Sequence, residues 1–229
     1  MPLELTTLAG SEPLEFDPRR VFLAGYTGRD RAAAEAHVAE LARHGIPAPS
    51  RVPSRVTTRS RIDVYGARSA GEAEFVLFLH EGRVLAGVGS DHTDRELEEH
   101  SVVKSKQCVD KPMSGQVWLL DEIVGHWDEL ALRSTVLDGA IQTPYQDGAV
   151  VSMMTPRAIL GEIESRVGLK DGDVVWSGTL PIIGGEFRFG DAFRVELVDD
   201  AFRVELVDSV LKRALRCAYR VEVLPVMDE

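Results

Sequence analysis

The sequence predicts an α+β fold that is mainly β. Two patterns indicate β-hairpins, because pairs of apolar runs flank the turns at Glu81-Gly82 and Asp138-Gly139. Short turns that contain glycine, placed between runs of strand-favouring residues, are typical of such hairpins. Strand patterns also dominate the chain from Gly168 to Leu224. Helical patterns are fewer, which makes the predicted fold mainly β.

The first 46 residues are predicted to form a small strand–helix segment. Val21 to Tyr26 has the composition of a short strand, and Ala32 to His44 shows helical periodicity. Thr27 to Asp30 has the spacing of a capping box, which favours a helix start at this point. We therefore divide the chain into residues 1–46 and a main domain of residues 47–229.

The first hairpin is predicted to lie inside the core. Alternate side chains of a strand share a face, so Glu72 and Glu74 would point the same way as Val76 and Phe78. Both faces become apolar within a few residues, which is typical of a strand covered on both sides. The two carboxylates thus lie where a strand enters a core, and desolvating them is costly unless they are neutralised.

Four further elements follow along the chain. A helix is predicted to begin at Thr155-Pro156, where threonine supplies an N-cap and proline suits the first turn, and to end at Gly168. The other three are a short helix at 94–100, a helix at 121–130, and a second hairpin formed by residues 131–137 and 140–144.

Residues 191–199 and 200–208 both read DAFRVELVD, a perfect tandem repeat. Nine is an odd number, so one continuous strand would turn Phe193 and Phe202 to opposite faces. We therefore expect a turn or bulge near Asp199-Asp200, with the second copy lengthening a hairpin or forming a loop. An artefact in the sequence is the alternative interpretation.

Composition excludes several classes of partner. The formal net charge of −11 argues against binding to nucleic acid or to an anionic membrane surface, since both require basic patches. The N-terminus lacks the features of a signal peptide, and no apolar run is long enough to span a bilayer. We therefore expect a cytoplasmic location. The two cysteines, Cys108 and Cys217, are too few and too far apart for a disulfide scaffold.

Three carboxylates around the first hairpin suggest a site for a divalent cation. Glu72 and Glu74 lie two residues apart on one strand, and Asp91 ends the returning strand. Mg²⁺ and Mn²⁺ prefer oxygen ligands, and a cation would neutralise the repulsion between the carboxylates. The alternative is that the glutamates lie at a solvated strand end and that Asp91 caps the next helix.

Four motifs in order resemble those of the fumarylacetoacetate hydrolase superfamily. Its members typically show E-x-E-L/F, then N-D-x-S-x-R-D-L-Q, a G-K-S-type lysine, and G-D-V-I-x-T-G-T-P-x-G-V-G. The corresponding segments here are Glu72 to Phe75, Ser90 to Glu98, Lys104-Ser105 with Lys106 as a competitor, and Gly172 to Gly184. Between them, Leu137-Asp138-Gly139 and Gln142 look like the family's V-N-G and Q.

The resemblance implies a fold and a metal site. The fold would be a mixed β-sandwich or β-roll with the active site in the mouth of the sheets, and residues 47–229 would be the catalytic domain. A single Mg²⁺ or Mn²⁺ ion would be held by Glu72, Glu74 and Asp91. Family members often form homodimers, so we expect a homodimer.

The resemblance also implies roles for the residues around the cation. Either Lys104 or Lys106 would pair with a substrate carboxylate or a developing enolate; spacing does not choose between them, and a solvated charged turn is the alternative. Gly178 and Thr179 would clamp a carboxylate, because glycine permits close approach of the main chain, with a strand-end turn as the alternative. Arg95 would brace the metal loop through salt bridges.

The main departure from the family pattern lies near the N-terminus. Many members have G-x-N-Y-x-x-H, in which the histidine is the general base. Here Tyr26 is retained as a candidate for substrate binding, but Arg29 stands where the histidine would be. This change puts water activation in doubt. His92 is a candidate replacement, because imidazole has a suitable pKa, and a solvated loop residue is the alternative.

The resemblance therefore implies a metal-dependent hydrolase of carbon–carbon bonds in small 2-oxo or 1,3-dicarbonyl acids of the acylpyruvate type. Decarboxylation or tautomerisation of a β-keto acid such as oxaloacetate is the first alternative, since it needs the metal but no activated water. A non-catalytic metal- or ligand-binding module on the same fold is the second. The expected partner is a small keto acid.

Overall fold

The structure of the protein, a computed structural model, describes residues 2–7, 13–25, 27–29, 50–199 and 213–225. Three predictions fall outside these residues: the helix from Ala32 to His44, the second copy of the repeat, and the place of Tyr26. The proposed boundary at residue 46 also falls outside them.

The described residues contain seventeen strands. In chain order they are β1 (Leu3–Thr7), β2 (Pro13–Phe16), β3 (Arg20–Leu23), β4 (Ser50–Arg51), β5 (Val56–Thr57), β6 (Arg61–Val64), β7 (Ser69–Ala70), β8 (Ala73–His80), β9 (Arg83–Ser90), β10 (Thr93–Asp94), β11 (Lys111–Pro112), β12 (Gln116–Leu119), β13 (Leu130–Asp138), β14 (Ile141–Ala149), β15 (Asp173–Trp176), β16 (Ala192–Asp199) and β17 (Arg213–Val223).

The helices are short, with one exception. They are α1 (Arg95–Glu98), α2 (Val102–Gln107), α3 (Leu120–Ile123), α4 (Pro156–Val167), and two 3-10 turns at Val124–Glu129 and Val150–Ser152. Helix α4 begins and ends where the sequence predicts, with Thr155 accepting from the backbone N–H of Ala158 and Gly168 in the C-cap position at φ +62°. Helix α2 was not predicted, although Ser101 caps it. None of the described helices combines the length and the apolar character that crossing a membrane requires.

The larger sheet has eight strands in the order β2-β1-β12-β9-β8-β15-β3-β4. Its centre is the predicted first hairpin, in which β8 and β9 pair without interruption from Ala73 opposite Ser90 to His80 opposite Arg83. Strand β15 lies antiparallel to β8 on the other side and parallel to β3. Strands β1 to β3 of the N-terminal region therefore share a sheet with the hairpin.

The smaller sheet has five strands in the order β14-β13-β16-β17-β6. Its β13–β14 pair is the predicted second hairpin, and it extends further than predicted on both strands. The first copy of the repeat forms β16, which lies between β13 and β17 and pairs with both. Two short pairs, β10 with β7 and β11 with β5, complete the β structure of the described residues.

Both faces of β8 are covered, as the sequence predicts. Phe75 and Leu77 belong to a core cluster that includes Leu132 and Leu215 of the five-stranded sheet. Val76 and Phe78 point the opposite way, into a second cluster of which Trp176 and Phe16 are members. The first cluster joins the two sheets, so that residues at the β8–β9 end are surrounded by packed side chains. This arrangement confirms a mainly β fold with a few helices.

A buried ion pair fixes the pairing of β3 with β15. Arg20 donates from Nε to Asp173 Oδ1 at 2.7 Å and from Nη2 to Asp173 Oδ2 at 2.5 Å. Asp173 is 1% exposed, and its Oδ2 also accepts from the backbone N–H of Lys170 at 2.8 Å. The same guanidinium donates to the carbonyl of Gly168 at 2.7 Å.

We expect the substitution Asp173→Asn to lower the free energy of unfolding by about 2 kcal/mol, because the partly buried Arg20 guanidinium would lose its hydrogen bonds to a charged partner. Urea denaturation measures the effect. Asp147→Asn is the matched control, since the Arg133–Asp147 pair is about half exposed on both sides and should contribute under about 0.5 kcal/mol. Equal losses in the two variants would contradict this account.

Candidate metal centre

The structure brings Glu72, Glu74 and Asp91 together. Glu72 precedes β8, Glu74 lies in it, and Asp91 directly follows β9. The antiparallel register continues past the strand ends, because the N–H of Asp91 donates to the carbonyl of Glu72 at 2.9 Å. As a result, one carboxylate oxygen from each residue lies within 4.8 Å of the other two.

Burial and charge affect these carboxyl groups differently. Glu74 is 4% exposed, and burial together with the negative charge of Asp91 raises its pKa well above the usual range. Burial alone would raise the pKa of Asp91 as well, but Lys106 and Lys111 outweigh it and lower that pKa. The centre therefore holds one firmly ionised carboxylate beside one that is difficult to ionise without a further positive charge.

Of the two lysines that the sequence could not separate, Lys106 reaches the carboxylates. Its Nζ lies 2.5 Å from Asp91 Oδ2 and 3.3 Å from Glu72 Oε2. Lys104 lies on the exposed side of the same helix, α2. The position of the helix is fixed in part by Ser54, whose hydroxyl donates to the carbonyl of Lys106 at 3.1 Å.

Lys111 also belongs to the centre, and sequence reasoning missed it. This lysine on β11 is fully buried, and its Nζ donates to the carbonyl of His92 at 2.5 Å and lies 2.8 Å from Asp91 Oδ1. Burial and the nearby charge of Lys106 lower its pKa. No local pattern marks this lysine in the sequence, because its place depends on the pairing of β11 with the distant strand β5.

Arg95 is a buried partner of Glu72. Its Nη2 is 3.4 Å from Glu72 Oε2, and its Nη1 donates to Glu98 Oε2 at 2.7 Å. The guanidinium is buried and lies 4.2 Å from the centre of the Phe187 ring, which is itself 44% exposed. Arg95 thus links the carboxylate cluster to the loop after β15.

Gly178 and Thr179 direct their polar groups at β8. The N–H of Gly178 donates to Glu74 Oε2 at 2.9 Å, and the hydroxyl of Thr179 donates to the carbonyl of Ala73 at 2.8 Å. Gly178 has φ +86°, and a Cβ at this position would clash with the carbonyl oxygen of Gly25. In the structure, this turn therefore orients Glu74.

The glutamine that supports the centre is Gln146, and Gln142 is exposed. The Oε1 of Gln146 accepts from the N–H of Ala73 at 2.8 Å and from the hydroxyl of Ser134 at 2.9 Å. A register shift in the β13–β14 pair at Ser134 makes both Tyr145 and Gln146 buried, although they are neighbours in sequence. Alternation along a regular strand would not predict this, so sequence reasoning had no signal for it.

His92 is buried, so the interpretation of a solvated loop histidine is wrong. The Tyr219 hydroxyl donates to Ser90 Oγ at 2.7 Å and lies 2.9 Å from His92 Nδ1. With the Tyr219 proton directed at Ser90, the Nδ1–H of His92 donates to Tyr219, and Nε2 is left without a partner among the described residues. Burial, with the charges of Lys111 and Arg95, lowers the pKa of His92 well below its usual value.

Arg29 makes an ion pair at the surface. Its Nη1 and Nη2 donate to the two carboxylate oxygens of Asp128 at 2.9 and 2.5 Å, and its Nε donates to the carbonyl of Met153 at 3.1 Å. Both partners of the pair are 39–49% exposed. A guanidinium stays protonated in proteins, so Arg29 cannot accept a proton from water.

Solved structures with the same fold exist, at low sequence identity. The chain resembles Cg1458 with a TM-score of 0.61 and 14% identity over 93% of this chain and 85% of that one. It resembles a crystal form of 2-keto-3-deoxyarabinonate dehydratase with a TM-score of 0.60 and 17% identity, over 92% of this chain and 76% of that one. It also resembles 2-keto-3-deoxy-D-arabinonate dehydratase complexed with magnesium and 2,5-dioxopentanoate. The TM-score is 0.57 and the identity is 16%, over 94% of this chain and 78% of that one.

At the level of sequence, no curated protein matches the chain. A match to a protein family does exist and spans residues 24–219, which include every described residue of the centre. The family is described as Protein of unknown function (DUF2848). The chain belongs to this family.

Proposed function

We propose that the protein is a divalent-metal-dependent enzyme that acts on small 2-oxo acids. The observation that carries the proposal is the convergence of Glu72, Glu74 and Asp91 at a buried end of the β8–β9 hairpin. The dehydratase of similar fold that was crystallised with magnesium and 2,5-dioxopentanoate supports it as an analogy. We further propose that the fold is the mixed β-sandwich or β-roll of the fumarylacetoacetate hydrolase superfamily.

The residues present fit a hard divalent cation. Mg²⁺ binds oxygens at about 2.1 Å, so two ligands on opposite sides of the ion lie about 4 Å apart. The three oxygens lie within 4.8 Å of one another, so they would need to approach only slightly to bind one ion. The ligands would all be carboxylate oxygens, the donor type that suits Mg²⁺ and Mn²⁺. A cation would also offset the burial and the repulsion by Asp91 that together raise the pKa of Glu74.

A bound cation would supply Lewis-acid stabilisation of negative charge on an enolate oxygen. The protein supplies the rest. Gly178 holds Glu74 in place through its N–H, and Arg95 holds Glu72 through an ion pair. Of Lys104 and Lys106, Lys106 is the one whose ammonium lies close enough to the carboxylates to pair with a substrate carboxylate or with the developing enolate.

A lyase reaction, such as decarboxylation or loss of water, is the form of this chemistry that we favour. Both reactions need charge stabilised on an enolate but need no activated water. Decarboxylation forms the enolate by releasing CO₂, whereas loss of water also needs a base that takes a proton from the carbon next to the carbonyl. Arg29, at the position where many fumarylacetoacetate hydrolase relatives carry a histidine base, is paired with Asp128 and cannot act as a base.

Hydrolysis of a carbon–carbon bond is the second candidate, and His92 favours it. An imidazole with a lowered pKa is neutral at neutral pH, and the free lone pair on Nε2 can accept a proton. Under either reaction we propose a cytoplasmic homodimer with residues 47–229 as its catalytic domain. A non-catalytic module would bind the metal and turn over none of the substrates.

The first experiment measures product release from oxaloacetate, short acylpyruvates and a 2-keto-3-deoxy sugar acid, with Mn²⁺ and again with a chelator. We expect turnover of at least one substrate that the chelator abolishes. The substitution Glu74→Gln should lower that turnover by at least about 100-fold, because it removes one ligand charge while keeping the side-chain shape. The products separate decarboxylation and dehydration from hydrolysis.

Glu96→Gln is the control, since Glu96 is an exposed carboxylate on α1 and the substitution should leave turnover unchanged. Turnover that persists in the chelator or in Glu74→Gln would refute the metal-dependent proposal. If no substrate were turned over although Mn²⁺ was bound, the result would favour the non-catalytic module.

Gly178→Ala tests how Glu74 is held. The alanine would clash with the carbonyl of Gly25 and would be strained at φ +86°, so the N–H should move away from Glu74. We expect a loss of stability of about 2 kcal/mol and an affinity for Mn²⁺ at least about tenfold weaker. Thermal melting and isothermal titration measure the two effects.

Gly161→Ala is the control for Gly178→Ala. Gly161 lies within helix α4, and a Cβ there has nothing within 4 Å, so alanine should stabilise the protein slightly and leave Mn²⁺ binding as it is. If Gly178→Ala bound Mn²⁺ as tightly as the unsubstituted protein, the turn would have no part in orienting Glu74.

A further inference from the structure

The Nζ atom of Lys106 contacts two of the proposed metal ligands. It lies 2.5 Å from Asp91 Oδ2 and 3.3 Å from Glu72 Oε2. The Lys106 side chain is 18% exposed. The two carboxylate oxygens therefore replace much of the water that would hydrate the ammonium group. A cation bound by Asp91 and Glu72 would compete with this ammonium for the same two carboxylates.

The other lysine of the centre is held differently. Lys111 Nζ lies 2.8 Å from Asp91 Oδ1, but it also donates to the backbone carbonyl of His92 at 2.5 Å. That carbonyl belongs to the main chain, so this contact of Lys111 does not depend on whether the carboxylates bind a cation. Lys106 Nζ has no such anchor among the contacts of the described residues, because both of its partners are the proposed ligands.

When no metal is bound, Lys106 supplies part of the positive charge that compensates the carboxylates. Lys106 and Lys111 both pair with Asp91, and Lys106 also contacts Glu72. Arg95 is shared between Glu72 and Glu98, so it compensates the cluster only in part. Glu74 has no lysine or arginine within ion-pair distance among the described residues.

We propose that Lys106 is the resident cation of the metal-free centre, and that a divalent cation binds by exchange with its ammonium group. This inference rests on the proposed metal site. Lys106 would give up its contacts with Asp91 and Glu72 when a cation binds, because two positive charges at the same carboxylates would repel each other strongly. The ammonium is then free to meet an anionic substrate, which ties substrate binding to metal binding.

The exchange has a measurable consequence, because it weakens metal binding in the unsubstituted protein. Removing the ammonium removes the competitor and leaves the carboxylates uncompensated. The substitution Lys106→Met should therefore bind Mn²⁺ at least about tenfold more tightly, which corresponds to about 1.4 kcal/mol. Lys104→Met, on the exposed side of the same helix, should bind Mn²⁺ like the unsubstituted protein.

The measurement is Mn²⁺ titration of chelator-treated protein, with free Mn²⁺ followed by electron paramagnetic resonance. Thermal melting gives an independent readout. Without metal, Lys106→Met should melt below both the unsubstituted protein and Lys104→Met, and saturating Mn²⁺ should raise its melting temperature by the largest amount. Lys106→Gln serves as the second variant if Lys106→Met does not stay folded without metal.

The outcomes separate this inference from the proposed function. Mn²⁺ binding by Lys106→Met or Lys106→Gln that equals or falls below that of the unsubstituted protein would overturn the exchange and leave the metal site standing. Failure of every folded protein in the series to bind Mn²⁺ would overturn the metal site, and the exchange with it.

Discussion

Burying three carboxylates close together is unfavourable, and the side chains around them are arranged to compensate. Two unit charges separated by about 5 Å repel by roughly 3 kcal/mol at an effective dielectric constant of about 20. The β8–β9 register forces this proximity on Glu72, Glu74 and Asp91, because the hairpin pairs without a break up to their positions. Two lysines, an arginine and a glycine N–H then surround the cluster.

Local patterns in the sequence predict the parts of this arrangement that depend on neighbours in the chain. The apolar runs around Glu81-Gly82 predict the hairpin and its two buried faces, and Thr155 and Gly168 predict the ends of α4. The E-x-E spacing suggests an acidic cluster for the same reason, since residues two apart on a strand share a face.

The parts that depend on distant pairing could not be predicted. The choice of Lys106 over Lys104 requires the orientation of a six-residue helix, and Lys111 becomes buried only because β11 pairs with β5. Gln146 is buried because of one register shift between two strands. None of these three placements follows from a local periodicity, so the site as a whole depends on the tertiary structure.

The register shift at Ser134 also limits how the second hairpin can vary in length. Deleting one residue between Pro144 and Gln146 would restore regular pairing, but it would leave one buried position where Tyr145 and Gln146 now occupy two. The exposed turn around Gly139 has no such restriction. A change of length at the tip of this hairpin would therefore leave the buried positions in place, whereas an insertion or deletion between Pro144 and Gln146 would break the hydrogen bond that Gln146 accepts from the backbone N–H of Ala73.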